Sequence, residues 1–116
     1  MTPNRMAEIA QMVAEEGSLE IQVLEKTQME EFGMGALLGV ARGSEQPPKM
    51  IILRYLGDRG NESNNLGLLG KGITFDSGGI SIKSAAGMGA MKTDMAGGAA
   101  VIAAMGVVGE LRPRIN

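Results

Sequence analysis

The stretch "KMIILRYLG", residues 49–57, is the most continuous apolar run in the chain. Such a run reads as a strand buried on both faces, and a strand of that kind needs layers of structure on either side. The flanking sequence supplies candidates for them. Thr2 followed by Pro3 reads as a helix start, a capping hydroxyl before proline at the first helical position. Met6, Ile9, Ala10 and Val13 then recur at helical spacing until Gly17, which stops the helix. "LEIQVL" alternates Leu19, Ile21 and Val23 against polar residues, the pattern of a half-buried strand. Thr27 and Glu30 fit a capping box ahead of a second helix from about Met29 to Val40. "LGLLGKGITF" reads as a third strand weakened by its glycines. A long glycine-rich connection leads to a small-residue helix from about Met95 to Leu111.

The expected order is therefore helix, strand, helix, strand, strand, long loop, helix, which predicts an α/β fold with a three-layer α/β/α partial sheet. After Arg112-Pro113-Arg114, Ile115 reads as the first residue of a further strand. The chain is accordingly expected to be a single truncated piece, residues 1–116, of a longer domain.

Composition narrows the chemistry. With no histidine and no cysteine, the chain lacks the commonest general base, thiolate ligands and any disulfide. A metal would have to be held by carboxylates, carbonyls, water or an unusual neutral amine. The net charge of -2 offers no basic field for nucleic acid, so no nucleic-acid partner is expected. No apolar run in the sequence approaches the ~20 residues of a membrane span, and no signal-peptide pattern opens the chain. These features predict a soluble cytoplasmic protein without a membrane partner. Glycine supplies 18 of 116 residues and aromatics only 3%, so the core must come from Leu, Ile, Val, Met and Ala. Ten methionines fill gaps but specify shape weakly, and a modest stability margin follows.

Three glycine-rich signals compete for function. "GMGALLG", residues 33–39, has the spacing GxGxxxG inside a helix-period segment, and reads as close helix packing more than as a dinucleotide site. "GKGIT", residues 70–74, is a weak phosphate-loop candidate, with Asn65 in place of the first glycine and Gly72 in place of the magnesium-binding hydroxyl. The third signal is the whole segment "GKGITFDSGGISIKSAAGMGAMKTDM", residues 70–95. Each of its charges has an ordinary reading. Asp94 could cap the helix that follows, Asp76-Ser77-Gly78-Gly79 could be only a turn, and Lys83 and Lys92 could be solvated charges. Together, two carboxylates with lysines between them, on a backbone that glycine lets approach a ligand, fit a dication site with electrophilic partners.

"GKGITFDSGGISIK" followed by "MKTDM" closely resembles the signature region of the leucyl aminopeptidase family, cytosolic two-metal exopeptidases. Lys71, Asp76, Ser77-Gly78-Gly79, Lys83, Met91-Lys92 and Asp94-Met95 all fall at the family's spacing. "MTP", "GMGALLGVARGS" and "ILRYLG" look like the start of its catalytic domain, so the resemblance covers essentially the whole chain. It implies that Lys71 ligates metal through a neutral amine, that Asp76 bridges two metals, and that Asp94 shares a metal with Lys71. It implies that Lys83 stays charged and holds the scissile carbonyl oxygen, and that Met91 lines the pocket for the first side chain. It further implies two divalent ions, zinc or manganese, peptide substrates and a hexameric parent. The sequence departs from the pattern at Gly89, where the family usually has aspartate. Residues 95–116 contain no counterpart of the family's "NTDAEGR"-like motif, which carries its remaining ligands and a catalytic arginine. The chain alone is therefore expected to be inactive. A nucleotide- or phosphate-binding module and a non-catalytic remnant that folds by self-association are the alternatives.

Overall fold

The computed structural model describes residues 1–116. Helix α1 spans Pro3–Gly17 and begins as the sequence predicts, with the Thr2 hydroxyl accepting from the Arg5 N–H at 3.2 Å. Gly17 is its last residue, and the turn that ends it is made by Ser18, at φ 53. Strand β1, Glu20–Leu24, pairs antiparallel with β2, Met50–Arg54, in a register that sets Glu20 opposite Arg54 and Leu24 opposite Met50. Between them the expected single helix is two: α2, Lys26–Glu31, and α3, Gly35–Ala41. The break lies at Gly33, whose φ of +68 suits a residue without a Cβ. The capping box also falls elsewhere. Glu25 caps α2, and its N–H donates to the Gln28 side chain at 2.9 Å, so Thr27 and Glu30 do not form it.

The α/β reading holds, with α1 packed on the two-stranded sheet and α5, Ala96–Leu111, packed on α1. Met6, Ala10 and Ile102 form the core of that contact, lined by Ile9, Val13, Ile21, Ile51, Leu53 and Met95. The helices meet closely because two glycines face each other. A Cβ on Gly109 would sit 2.7 Å from the Gly17 Cα.

The expected third strand is absent: residues 66–75 join no ladder, bend at Thr74 and are mostly exposed. A strand is stabilised by paired neighbours, and this segment's backbone bonds, to Asn116 at Leu66 and to Gly98 at Lys71, are isolated and build no ladder. Leu66 N–H donates to the Asn116 carbonyl at 2.8 Å. Only nine residues are buried, and the buried set contains no charged or polar side chain.

The connection to α5 contains a short helix α4, Ala85–Met88, and a 3-10 turn, Gly89–Thr93. The helical stretch Ala85–Leu111 is long and apolar enough, by length and composition, to cross a membrane, contrary to the expectation from the sequence. It includes Lys92 and Asp94, its 3-10 turn interrupts it, and α5 packs along α1.

A polar clasp fixes the last residues. Asn116 accepts from the Asp58 N–H at 2.9 Å and donates to the carbonyls of Asp58 and Asn61, each at 3.1 Å. The Asp58 carboxylate accepts from Asn64 at 3.0 Å and from Arg114 at 3.2 Å.

Candidate lysine–aspartate site

Lys71 and Asp94 are brought to the site by close backbone contact between residues 70–72 and the first turn of α5. Gly98 N–H donates to the Lys71 carbonyl at 2.7 Å, and a Cβ on Gly70 would lie 2.3 Å from the Gly97 carbonyl oxygen. Glycine at both positions allows the two backbones to touch. The residue before α5 is Met95, and Asp94 precedes it; no side chain caps this helix, so the capping reading of Asp94 fails. The Asp94 carboxylate instead faces Lys71, with Nζ 3.0 Å from Oδ2.

That oxygen is buried and accepts no hydrogen bond, because the ammonium approaches it outside hydrogen-bonding geometry. The two facts describe one contact: close in distance, poor in direction. Asp94 is 17% exposed and Lys71 60% exposed, so an inward oxygen meets the tip of a side chain arriving from solvent. A buried carboxylate oxygen without a hydrogen bond is costly unless another group neutralises it.

Asp76 and Lys83 form the second pair, with Nζ 3.5 Å from Oδ2. The Asp76 Oδ1 accepts from the Gly78 N–H at 2.7 Å, the local turn that Asp-Ser-Gly-Gly favours. Gly78 carries φ +82, and a Cβ there would meet the Ser81 carbonyl oxygen at 2.4 Å. Lys83 is drawn back over the turn by its N–H donating to the Ser77 carbonyl at 2.9 Å. The Asp76 carboxyl is held below the ordinary carboxylate range. The Gly78 hydrogen bond is the largest cause, partial desolvation works against it, and the charges of Lys83 and Lys71 add to it. The field of Lys71 at Asp76 links the two pairs.

The structure thus groups Lys71 with Asp94 and Lys83 with Asp76, while Met91 lies half-buried on the 3-10 turn and Lys92 beside it is exposed. No three carboxylate, histidine or cysteine groups cluster anywhere in the chain. The donor set that could hold a cation is one amine and two carboxylates. The orphaned Asp94 oxygen facing an amine nitrogen fits a shared cation, since both atoms are lone-pair donors once the lysine is neutral. The sequence reading missed the contacts that aim these groups, the Gly78 N–H and the Gly70–Gly97 approach. The turn signal at Asp76 and the paired glycines of α5 were their only traces.

A separate cleft of about 370 Å³ is lined by Leu56, Arg59, Glu62, Asn65 and Asn116. It contains none of the lysine–aspartate residues.

Comparison with known proteins places these residues in context. The cytosol aminopeptidase family, catalytic domain, matches residues 1–116. A probable cytosol aminopeptidase of Alkaliphilus oremlandii is 54% identical over 116 residues, and one of Bacillus subtilis is 50% identical over 116 residues. Each alignment covers 100% of this chain and 23% of the relative, so the chain spans about a quarter of the length of these proteins. Among solved structures, the bottromycin maturation enzyme BotP in complex with Mn aligns with a TM-score of 0.83 at 39% identity. That alignment covers 95% of this chain and 23% of the other.

Proposed function

The chain belongs to the cytosol aminopeptidase family, and we propose that it supplies the Lys71–Asp76–Lys83–Asp94 part of a metal-dependent aminopeptidase site. The proposed activity of the whole enzyme is removal of N-terminal residues from peptides. In this reading residues 1–116 are one piece of its catalytic domain, in a cytoplasmic protein without nucleic-acid or membrane partners. The parent assembly is a hexamer.

The observation that carries the reading is the Asp94 oxygen, buried, without a hydrogen bond and 3.0 Å from the Lys71 nitrogen. Lys71, Asp76 and Asp94 are the proposed ligands of two divalent ions, zinc or manganese. Manganese has the added support of the BotP complex, which is described as containing Mn. When bound, such ions supply Lewis-acid activation for peptide hydrolysis. Lys71 must give up its proton to ligate, which neighbouring dications favour. Asp76 needs no such adjustment: its lowered pKa keeps it an anion and a ready ligand. Lys83, with Nζ 3.5 Å from Asp76, is the group proposed to hold a developing oxyanion. Two lysines in one site would thus hold opposite protonation states. Met91 is assigned to the wall for the substrate's first side chain.

The test is manganese binding followed by paramagnetic broadening of backbone signals. Broadening centred on Asp76 and Asp94, and lost in Asp94→Asn, supports the reading. A melting temperature raised by ATP or NAD but not by manganese or zinc overturns it in favour of a nucleotide module.

A further inference from the structure

Four glycines stand where Lys71 meets α5, at positions 70, 72, 97 and 98, so the contact has no side chains of its own to fill it. One backbone hydrogen bond joins residues 67–75 to the rest of the chain, from the Gly98 N–H to the Lys71 carbonyl at 2.7 Å. The side chain that fills the corner comes from α1. A Cβ on Gly98 would lie 3.1 Å from the Gly72 Cα, 3.1 Å from the Lys71 carbonyl oxygen and 3.3 Å from the Met6 Cε. A Cβ on Gly72 would meet the same methyl at 3.9 Å and, its chain neighbours aside, no other atom within 4 Å. Gly72 is exposed and Met6 is 5% exposed, so the methyl supports the 71–72 backbone from the core side.

Met6 is itself placed by the start of α1. Its N–H donates to the Thr2 carbonyl at 3.0 Å, and the Thr2 hydroxyl caps the same turn. Its side chain forms the core with Ala10 and Ile102, and Met95, the residue after Asp94, packs against that core. Met6 thus stands behind both members of the Lys71–Asp94 pair. A long unbranched side chain reaches such an irregular gap, and a shorter one leaves its lining without contacts.

On the reading of Lys71 and Asp94 as metal ligands, we propose that Met6 is a positioning residue for that pair. Its terminal methyl holds residues 70–72 against the first turn of α5. The Lys71 nitrogen and the buried Asp94 oxygen are thereby kept facing each other at 3.0 Å. Met6 is not a ligand; it acts through the backbone of Lys71, Gly72 and Gly98.

Met6→Ala removes the methyl and leaves every atom of the pair in place. In the metal-free chain, amide exchange at Gly98 should become about tenfold faster relative to that at Met105, further along α5. Manganese affinity, measured by calorimetry, should fall about tenfold, the lower end of what losing a group behind a metal ligand costs. Val13→Ala is the matched control, since Val13 lies about two turns along α1 and meets α5 at Gly106 instead. It should lower the melting temperature and leave both the exchange ratio and the manganese affinity unchanged. Should Met6→Ala not fold, Met6→Val keeps more of the core, loses the reach to Gly98 and gives the same two readings. An unchanged exchange ratio in the Met6 variant, an unchanged manganese affinity, or equal effects from Val13→Ala would each overturn the proposal. A native chain that binds no manganese would instead remove the metal reading, and the exchange ratio alone would decide whether Met6 sets the Lys71–Asp94 contact.

Discussion

Nζ of Lys71 lies 3.0 Å from Oδ2 of Asp94, yet that buried oxygen accepts no hydrogen bond. A structural ion pair gains by adding hydrogen bonds to charge, so this contact leaves the carboxylate partly uncompensated. A cation between the two atoms would compensate it. Asp94→Asn is therefore expected to weaken manganese binding by on the order of tenfold or more, at least the loss seen when outer-shell partners are removed. Calorimetric titration of the two proteins checks this, and equal affinities would remove Asp94 from the ligand set.

Donor count limits what the chain does alone. Two carboxylates and one amine do not complete two metal sites, and no cluster of three acidic groups exists to supplement them. The purified chain is expected not to hydrolyse a leucine chromogenic amide in the presence of manganese. Turnover that disappears in Lys83→Ala would show that the residues present suffice.

The lowered pKa of Asp76 has a dominant cause that can be separated from the rest. The Gly78 hydrogen bond leads, and the Lys83 charge is secondary. Charge effects are screened by salt, whereas a directed backbone bond is not. Lys83→Met should raise the carboxyl midpoint, followed by carbon NMR, without returning it to the ordinary value; molar salt should do the same in the native chain. Because the folded pKa is depressed, the stability Asp76 contributes is present above the ordinary carboxylate range. It is lost as pH falls through the lowered value. A midpoint fully restored by Lys83→Met would assign the shift to charge instead.

What the sequence made legible follows from what is local. The Thr2–Pro3 cap, the alternation in β1 and the apolar run of β2 depend on neighbours in the chain, and all three form where expected, although β2, read as a buried strand, is only half-buried. Residues 66–75 have strand-like composition, but a ladder needs a continuous partner, and their backbone bonds at Leu66 and Lys71 are isolated. The break at Gly33 was hidden because the pattern on both sides keeps helical spacing while one residue takes φ +68. At the site, residue types drew attention to the charges, and only the resemblance to the leucyl aminopeptidase family singled out Lys71, Asp76, Lys83, Met91 and Asp94. Neither could show that Asp94 faces Lys71 rather than capping α5, because that depends on Gly70 meeting Gly97 across 27 positions of sequence.

The clasp at Asp58 is expected to carry stability out of proportion to its size. Its carboxylate is 11% exposed and satisfies both Asn64 and Arg114. Asp58→Ala leaves the Asn64 amide short of a partner, a loss of about 1–3 kcal/mol for an unsatisfied, part-buried group. Urea unfolding should show a lower midpoint. An unchanged midpoint would mean that the Asn116 side chain and the backbone bonds hold residues 113–116 without the Asp58 carboxylate.

The approach of α1 to α5 leaves little room for change. A Cβ at Gly109 would lie 2.7 Å from the Gly17 Cα and 2.8 Å from its carbonyl oxygen, so backbone would have to move. At Gly106, one turn earlier on α5, the Cβ would meet only a Val13 methyl at 3.2 Å, and a side chain can yield. Helix propensity favours alanine over glycine equally at both positions, by up to about 1 kcal/mol. The two substitutions should therefore differ in sign. Gly106→Ala is expected to be neutral or stabilising. Gly109→Ala should destabilise by about 1–3 kcal/mol, the usual cost of overpacking. Because Lys71 is held against the first turn of α5, a displaced α5 should also perturb the Lys71 and Asp94 signals in Gly109→Ala alone. Equal melting temperatures for the two variants would show that the helices slide apart without cost, and that the paired glycines do not set their distance.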